Sequence, residues 1–312
     1  WWKLVNRNKR NIALDLKVDA DREIFLRLID DANVLVENFR PGKLEALGLD
    51  PDTLHVSNPK LVITRVTGFG QTGPYRDRPG FATLAEAMSG FANVNGEPDG
   101  APTLPPIALT DEVTAIVAAF ATMVAVHSGV GQVVDVNLLE SMLHLMGPLV
   151  SANALTGYEQ SRLGSGIPYT VPRKTYECAD GKWVVVSATA ESVAQRFMAM
   201  VGVADDPRFK GFENRVANRE LIDQIVGDWV GERTLQQVLE EAERAEVAVA
   251  PVYSMTEVVN DPHLRERKAI IDIDGVPMQN VIARLSATPG GIRFAARALG
   301  EDTEAVIAEL ND

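Results

Sequence analysis

The chain has 312 residues, 46% apolar and 23% charged, the proportions of a globular protein with a sizeable core. Its formal net charge of −13 argues against general nucleic-acid binding and against attraction to an anionic membrane. Length alone predicts about two domains of ordinary size.

The single cysteine, Cys178, excludes an intrachain disulfide and suits a reducing cytosol. It reads as a small core residue rather than a nucleophile. No signal-peptide pattern is visible. The longest nearly apolar run, 113–126, is shorter than the ~20 residues a membrane-spanning helix needs and reads as a buried helix. The expectation is a cytoplasmic protein whose partners include neither membrane nor nucleic acid.

In chain order, residues 1–10 hold Lys3, Arg7, Lys9 and Arg10, a basic cluster in an acidic chain. It is either a solvated loop that balances charge or a clamp for phosphates, which need charge-assisted donors. From 12 to 66 the pattern is βαβαβ. Strands are predicted at 12–16, 34–36 and 61–66, a helix at 22–31 capped by Asp19 or Asp21, and helical turns at 44–48 and 51–56. Strands about 25 residues apart with helices between them predict a parallel, doubly wound sheet. Ligands bind such sheets beyond the carboxyl ends of the strands, and Glu37-Asn38-Phe39-Arg40-Pro41 lies at one such end. Phe39 is either a loop anchor or, with Arg40, a stacking surface for a planar ring.

Gly68-x-Gly70-x-x-Gly73 follows the third strand and spells the dinucleotide fingerprint. That motif must open a helix whose N-terminus takes the pyrophosphate. Here Pro74 and Pro79 bracket an extended loop, so a nicotinamide cofactor is not expected. Gly68 and Gly70 either let backbone approach a ligand or form a plain glycine-rich loop. Helices are predicted over 82–93 and 111–126. His127 and His144 lack metal-ligand spacing and read as structural or surface residues.

Residues 132–136 alternate and carry three valines, the pattern of a half-buried strand. Asn137 is a good N-cap, and apolar residues at 138, 139, 142, 143, 145 and 146 carry a helix on to about 155. Glu140 falls in its first turn. Two roles are open to it: the acidic arm of a capping box with Asn137, or a carboxylate nucleophile facing a cleft.

Composition shifts at 157–168, a linker in which Gly164-Ser165-Gly166 is either a mobile flap or plain connection. A hairpin at 173–177 and 182–188 turns at Asp180-Gly181. Helices near 190–201, 217–229 and 234–244 and a strand at 248–252 complete an α+β unit. Glu240-Glu241-Ala242-Glu243 reads as a solvated helix face, and Asn260-Asp261-Pro262 as a turn in a second linker. Strands at 269–273 and 281–285 return to the large domain. The predicted organisation is a large domain from 1–156 and 269–312, linkers at 157–172 and 254–268, and a small inserted domain at 173–253.

These stretches together resemble the family III CoA-transferases, the CaiB/BaiF group. The resemblance is carried by Asn6-Arg7-Asn8-Lys9-Arg10, Val36-Glu37-Asn38-Phe39-Arg40-Pro41-Gly42 and Asn58-Pro59-Lys60-Leu61-Val62. It continues through Thr67-Gly68-Phe69-Gly70-Gln71-Thr72-Gly73-Pro74-Tyr75, Gly96-Glu97-Pro98-Asp99-Gly100, Gly131-Gln132-Val133-Val134-Asp135-Val136-Asn137-Leu138-Leu139-Glu140-Ser141 and Leu299-Gly300-Glu301-Asp302-Thr303.

The resemblance implies an α/β fold: a large domain with a Rossmann-like parallel sheet, a small inserted α+β domain and an interlocked homodimer. It implies transfer of CoA from an acyl-CoA thioester to a small carboxylic acid through enzyme-bound anhydride and glutamyl-CoA intermediates. Glu140 becomes the nucleophile, at a position where the family usually carries aspartate. Lys9 and Arg10 become a phosphate clamp, and Asn38, Phe39 and Arg40 contacts to CoA. Backbone at Gly68, Gly70, Gly164 and Gly166 is expected near the thioester, holding developing oxyanions. Neither a metal nor a permanently bound cofactor is implied; coenzyme A is a substrate. A βαβ segment precedes the Asn6–Arg10 stretch in the family, whereas this sequence opens at Trp1-Trp2, and part of the CoA cleft is expected in that segment. Two alternatives stand beside this reading. An α-methylacyl-CoA racemase needs a histidine paired with the carboxylate, and the stretch after Asp111 reads Glu112-Val113-Thr114-Ala115-Ile116. A non-catalytic CoA-binding protein would use Glu140 only as a cap.

Overall fold

The structure, a computed structural model, describes residues 1–311. The chain divides into two compact units. The first comprises Trp1–Gly80, Glu112–Leu138 and the chain from Tyr253 onward; the second comprises Phe81–Asp111 and Leu139–Val252.

The first unit is built on a parallel sheet in the order β1 (Val34–Glu37), β2 (Val62–Thr67), β3 (Gln132–Asn137). Val34 pairs with Val62 and Glu37 with Arg65; Val62 pairs with Gln132 and Thr67 with Asn137. β2 lies between the other two and is buried at five of its six positions, Thr64, Arg65 and Thr67 among them, as a central strand covered on both faces is. Ile29, Leu44, Leu49, Leu54, Leu61 and Ile63 form the aliphatic core beside it. Ile29 comes from the helix Asp19–Asp30, with Phe25 and Leu26 on the same face. Val18 holds the cap position of that helix and makes no side-chain cap bond. The predicted caps lie inside the first turn, where Asp21 accepts the Asp15 N–H at 2.7 Å. The helix Pro51–Ser57 is capped by Asp50, which accepts from Thr53 N at 3.0 Å. Asn58 then ties two segments together, its Nδ2 donating to Ile29 O and Ala32 O at 2.9 and 2.8 Å. Gly131, at the entry to β3, packs against that loop so closely that a Cβ would stand 2.2 Å from Pro59 O.

Residues 12–16, expected as a strand, form none. Side chains take two of the backbone donors there, Ala13 N and Asp15 N, and that of the preceding Asn11. Asn11 N donates to Asp302 Oδ2 at 2.8 Å and Ala13 N to Thr303 Oγ1 at 3.0 Å, so the segment is fastened to the start of the helix Thr303–Asn311.

The helix Leu109–Ser128 is longer than expected and is not buried all round. Thr110, Thr114, Ala118, Thr122 and Ala125 make one buried row, and Thr122 Oγ1 lies 2.6 Å from Thr64 Oγ1 of β2. Ile116, Phe120, Met123 and Val124 make an opposite face that is 69%, 73%, 63% and 55% exposed. The sequence is apolar on every side, so periodicity gave no sign of which face is covered. This helix is long and apolar enough to cross a membrane, by length and composition only. Its threonine row is buried against the protein.

In the second unit, β4 (Arg173–Glu177), β5 (Trp183–Ser187) and β6 (Val249–Pro251) form an antiparallel sheet in that order. The β4–β5 hairpin turns at Asp180-Gly181 as expected, with Gly181 at φ +72°. Helices Glu191–Met200, Arg219–Gly231 and Leu235–Arg244 supply Phe197, Ile222, Val226, Val230 and Val238 to a core shared with Val184 and Val186. Cys178 is buried in the same core. Two expected long helices are each broken in two. Ala82–Met88 and Phe91–Val94 separate at Gly90, while Leu138–Leu145 and Leu149–Thr156 separate at Gly147-Pro148.

Back in the first unit, β7 (Ile270–Ile273) and β8 (Val276–Gln279) form a hairpin. Asp274 and Gly275 turn it with φ +54° and +73°, the signature of a type I′ turn. The second strand thus comes earlier than the expected 281–285, which is irregular, with Ile282 94% exposed.

Candidate active site

At the carboxyl ends of the parallel strands, Glu37 of β1 stands opposite Arg65 of β2. Arg65 Nε donates to Glu37 Oε1 at 2.6 Å, and its Nη1 and Nη2 donate to Glu45 Oε1 and Oε2 at 2.7 and 3.3 Å. The side chains of Arg65 and Glu37 are only 5% and 3% exposed. A buried pair like this gains little net stability, so its value lies in what it orients. The other Glu37 oxygen accepts the Phe39 N–H at 2.7 Å. The ion pair therefore fixes the base of the loop from which Asn38, Phe39 and Arg40 reach solvent. Hydrogen bonds from Arg65 hold the Glu45 carboxyl below the usual carboxylate range.

The glycine-rich loop leaves β2 beside this network. Gly70 N donates to Thr67 Oγ1 at 2.9 Å and Gln71 N to Asp135 Oδ2 of β3 at 3.0 Å. Gly68 lies against Gly80, where a Cβ would be 2.6 Å from the Gly80 Cα. No helix opens inside the loop. Tyr75 instead takes Arg78 over its ring at 3.9 Å and Phe69 edge-on at 5.8 Å.

The basic cluster is partly engaged within the first unit. Lys9 is exposed and its Nζ donates to Val5 O at 2.8 Å. Arg10 is also exposed, and its Nη1 and Nη2 donate to Glu309 Oε2 and Oε1 at 2.7 and 3.0 Å. Arg7 Nη1 donates to Gln279 O at 2.6 Å.

Glu140 belongs to the helix Leu138–Leu145, which starts where β3 ends. Glu140 is exposed in the first turn, whereas Ser141 and Met142 are buried. A helix N-terminus favours an ionised carboxylate there. In the second unit, the segment holding Gly164 and Gly166 is fastened at several points. Gly164 N donates to Gly96 O and Gly166 N to Leu163 O, both at 2.9 Å. A Cβ on Gly164 would stand 2.9 Å from both Glu97 carboxylate oxygens. Ser165 Oγ accepts from Thr175 N at 3.0 Å, and Arg173 Nη1 donates to Ser165 O at 2.7 Å.

Sequence reading missed the Glu37–Arg65–Glu45 network. Its signal was present: opposite charges stand at paired positions of two neighbouring strands.

The fold and these strand-end loops define an α/β enzyme of the CaiB/BaiF type. Residues 1–303 match CoA-transferase family III, and the chain belongs to that family. It is 37% identical to the succinyl-CoA–D-citramalate CoA-transferase of Chloroflexus aurantiacus, over 99% of this chain and 80% of that protein. It is 31% identical to the succinate–glutarate CoA-transferase of Agrobacterium fabrum, again over 99% and 80%. A CAIB/BAIF family protein from Brucella suis has the same fold, with a TM-score of 0.86 and 28% identity over 99% of this chain and 83% of that one. The family acts on CoA thioesters.

Proposed function

We propose that this enzyme moves CoA from succinyl-CoA to a second dicarboxylic acid, with Glu140 as the nucleophile. The observation that carries the reading is the place of Glu140, in the first turn of the helix that leaves β3, in a chain of CoA-transferase family III. Relatives named for succinyl-CoA or succinate and for a dicarboxylate partner support the substrate class.

Glu140 attacks the thioester carbonyl, forming a mixed anhydride and expelling CoA thiolate. The thiolate attacks the glutamyl carbonyl, freeing succinate and leaving a glutamyl-CoA thioester. The acceptor carboxylate attacks that thioester, giving a second anhydride and thiolate. Thiolate attack on the acceptor carbonyl then releases the new acyl-CoA and restores Glu140. Each step breaks one acyl bond as it makes another, so no redox partner is needed. Exclusion of water keeps the anhydrides from hydrolysis. In this reading Lys9 meets a CoA phosphate ahead of Arg10, whose charge is shared with Glu309. The Asn38-Phe39-Arg40 loop holds the adenine end.

The working form in this proposal is a cytoplasmic interlocked homodimer. The uncovered face of Ile116, Phe120, Met123 and Val124 supports that arrangement, because a contiguous exposed apolar stripe marks an interface. Sedimentation at nanomolar concentration should show a dimer, since separating interlocked chains requires unfolding. A folded monomer there contradicts it. For the reaction, succinyl-CoA is incubated with a panel of dicarboxylic and hydroxy acids, and formation of the new thioester is followed. No transfer to any acceptor contradicts the reading. Glu140→Asp shortens the reach by ~1.5 Å. It should lose about 100-fold in turnover, because attack geometry tolerates little displacement.

A further inference from the structure

We propose that Arg293 completes a phosphate site with Arg7 and Lys9, and that the phosphates taken there are those of the CoA thioester. The inference deepens the transferase reading above and rests on it for the ligand. Two stretches, 1–14 and 275–300, hold seven of the chain's 30 Lys and Arg and none of its 43 Asp and Glu. In a chain of net charge −13 this is a local reversal of sign, built from segments far apart in sequence.

The fold brings the two segments together within the first unit. Trp2 Nε1 donates to Arg297 O at 2.9 Å, Ala296 N to Lys3 O at 3.3 Å and Arg7 Nη1 to Gln279 O at 2.6 Å. Asn8 makes three further bonds. Its main-chain N–H donates to Phe294 O at 3.2 Å and its Nδ2 to Gly291 O at 2.8 Å, while its Oδ1 accepts the Arg293 N–H at 2.7 Å. The residue takes φ +62°, a left-handed conformation that asparagine adopts more readily than most side chains. Arg293 is thereby held beside Asn8, whose chain neighbours are Arg7 and Lys9.

Charge pairing in this patch is uneven. Arg10 pairs with Glu309 and Arg297 with Asp302, whereas among the described residues Lys3, Arg7, Lys9 and Arg293 pair with no carboxylate. Arg293 is exposed, and its bond to Asn8 uses only its main chain. Cations gathered without carboxylates repel one another, and a ligand with several negative charges relieves that repulsion. A loop that only balanced the net charge would need no second basic segment drawn against it. Guanidinium groups recognise phosphate oxygens through paired donors. CoA carries a diphosphate and a 3′-phosphate, so a cluster of cations matches it better than Lys9 alone.

The test titrates CoA into wild type, Arg293→Gln, Arg293→Lys and Lys9→Gln at low and high salt, and measures KM for succinyl-CoA on each. Thermal midpoints of the Arg293 variants should equal that of wild type, because the main-chain bond to Asn8 remains. Arg293→Gln should weaken CoA binding about tenfold at low salt and raise KM by a similar factor, the loss of one charge-assisted contact. Arg293→Lys should recover most of that loss, and high salt should shrink the difference between Arg293→Gln and wild type. ATP, which offers phosphates without the acyl and thiol end, should compete with CoA. ATP that binds without competing would assign the patch to a ligand outside the reaction and overturn the inference. Wild-type CoA affinity in Arg293→Gln at low salt also overturns it and leaves the transferase reading standing. CoA binding by wild type without transfer to any acceptor overturns that reading, while a tenfold loss in Arg293→Gln still upholds the phosphate site. No CoA binding by wild type overturns both.

Discussion

In the antiparallel region, fifteen buried side chains from Val171 to Val238 form one core, and the polar groups around it are matched from within. Arg215, though buried, donates to Val171 O, Phe209 O and both oxygens of Glu191. The Tyr176 hydroxyl donates to Asp223 at 2.9 Å, and burial together with that carboxylate pushes its pKa well above the ordinary value. The parallel-sheet unit is organised differently. Its aliphatic core has six fully buried members, it buries Arg65 and Glu37 at one end of the sheet, and it leaves an apolar helix face uncovered. The difference teaches where capacity for binding remains. The antiparallel core meets its buried polar groups from within, whereas the sheet unit leaves the Asn38-Phe39-Arg40 loop and the face of Ile116, Phe120, Met123 and Val124 exposed.

Substitutions can break that contrast. Phe197→Ala, in the antiparallel core, should cost about 3–5 kcal/mol of stability while leaving KM of the folded fraction unchanged. Denaturant melts and steady-state kinetics at low temperature check both halves. A raised KM would mean that this core also shapes the ligand site.

Arg65→Ala should cost a similar ~3–5 kcal/mol, because Glu37 is left buried and unpaired. Here KM for the CoA thioester should rise as well, since Glu37 no longer holds the Phe39 amide. Loss of stability with an unchanged KM would reduce the network to a structural brace. Arg65→Lys is the sharper variant. It keeps the charge but cannot serve Glu37 and Glu45 together in the same fork.

Acid separates the regions least. Hydrogen bonds from Arg65 lower the pKa of Glu45, the Asn11 amide and Arg297 lower that of Asp302, and Arg215 lowers that of Glu191. A carboxylate with a depressed folded-state pKa adds stability above its unfolded value of about 4, and that stability is lost as pH falls through the lower folded value. The thermal midpoint should therefore be flat with respect to these groups from about pH 7 to 5 and fall below about pH 4. Glu45→Gln should soften the fall only slightly, because solvent screens that partly exposed group.

Much of this architecture was legible in the sequence. The strands that became β1 to β6 were predicted within a residue or two, because alternation, valine content and the Asp180-Gly181 turn all agreed. The errors have physical causes. Residues 12–16 have the apolar pattern of a strand, but Thr303 takes the Ala13 donor and Asp302 that of the preceding Asn11, both nearly three hundred residues away. The β7–β8 hairpin was signalled by Asp274-Gly275 and misplaced because the later apolar run 281–285 competed with it. The uncovered face of Leu109–Ser128 was illegible, since every face of that helix is apolar. The roles proposed for Glu140 and the Asn38-Phe39-Arg40 loop come from the family resemblance, because residue type and position alone left Glu140 as a cap or a nucleophile and Phe39 as an anchor or a stacking surface. The Glu37–Arg65–Glu45 network was not read, because which side chains meet across neighbouring strands depends on register rather than on local sequence.

The central claim is that Glu140 carries CoA covalently. Its most direct test is intact mass of the protein after incubation with succinyl-CoA, with and without hydroxylamine, followed by peptide mapping. The account predicts a CoA thioester on Glu140 that hydroxylamine converts to a hydroxamate. In Glu140→Gln it predicts no adduct, retained CoA binding and a fall in turnover on the order of 1,000-fold or more, as when a nucleophile is removed. Full turnover in Glu140→Gln, or an adduct mapped to Asp135, would contradict it.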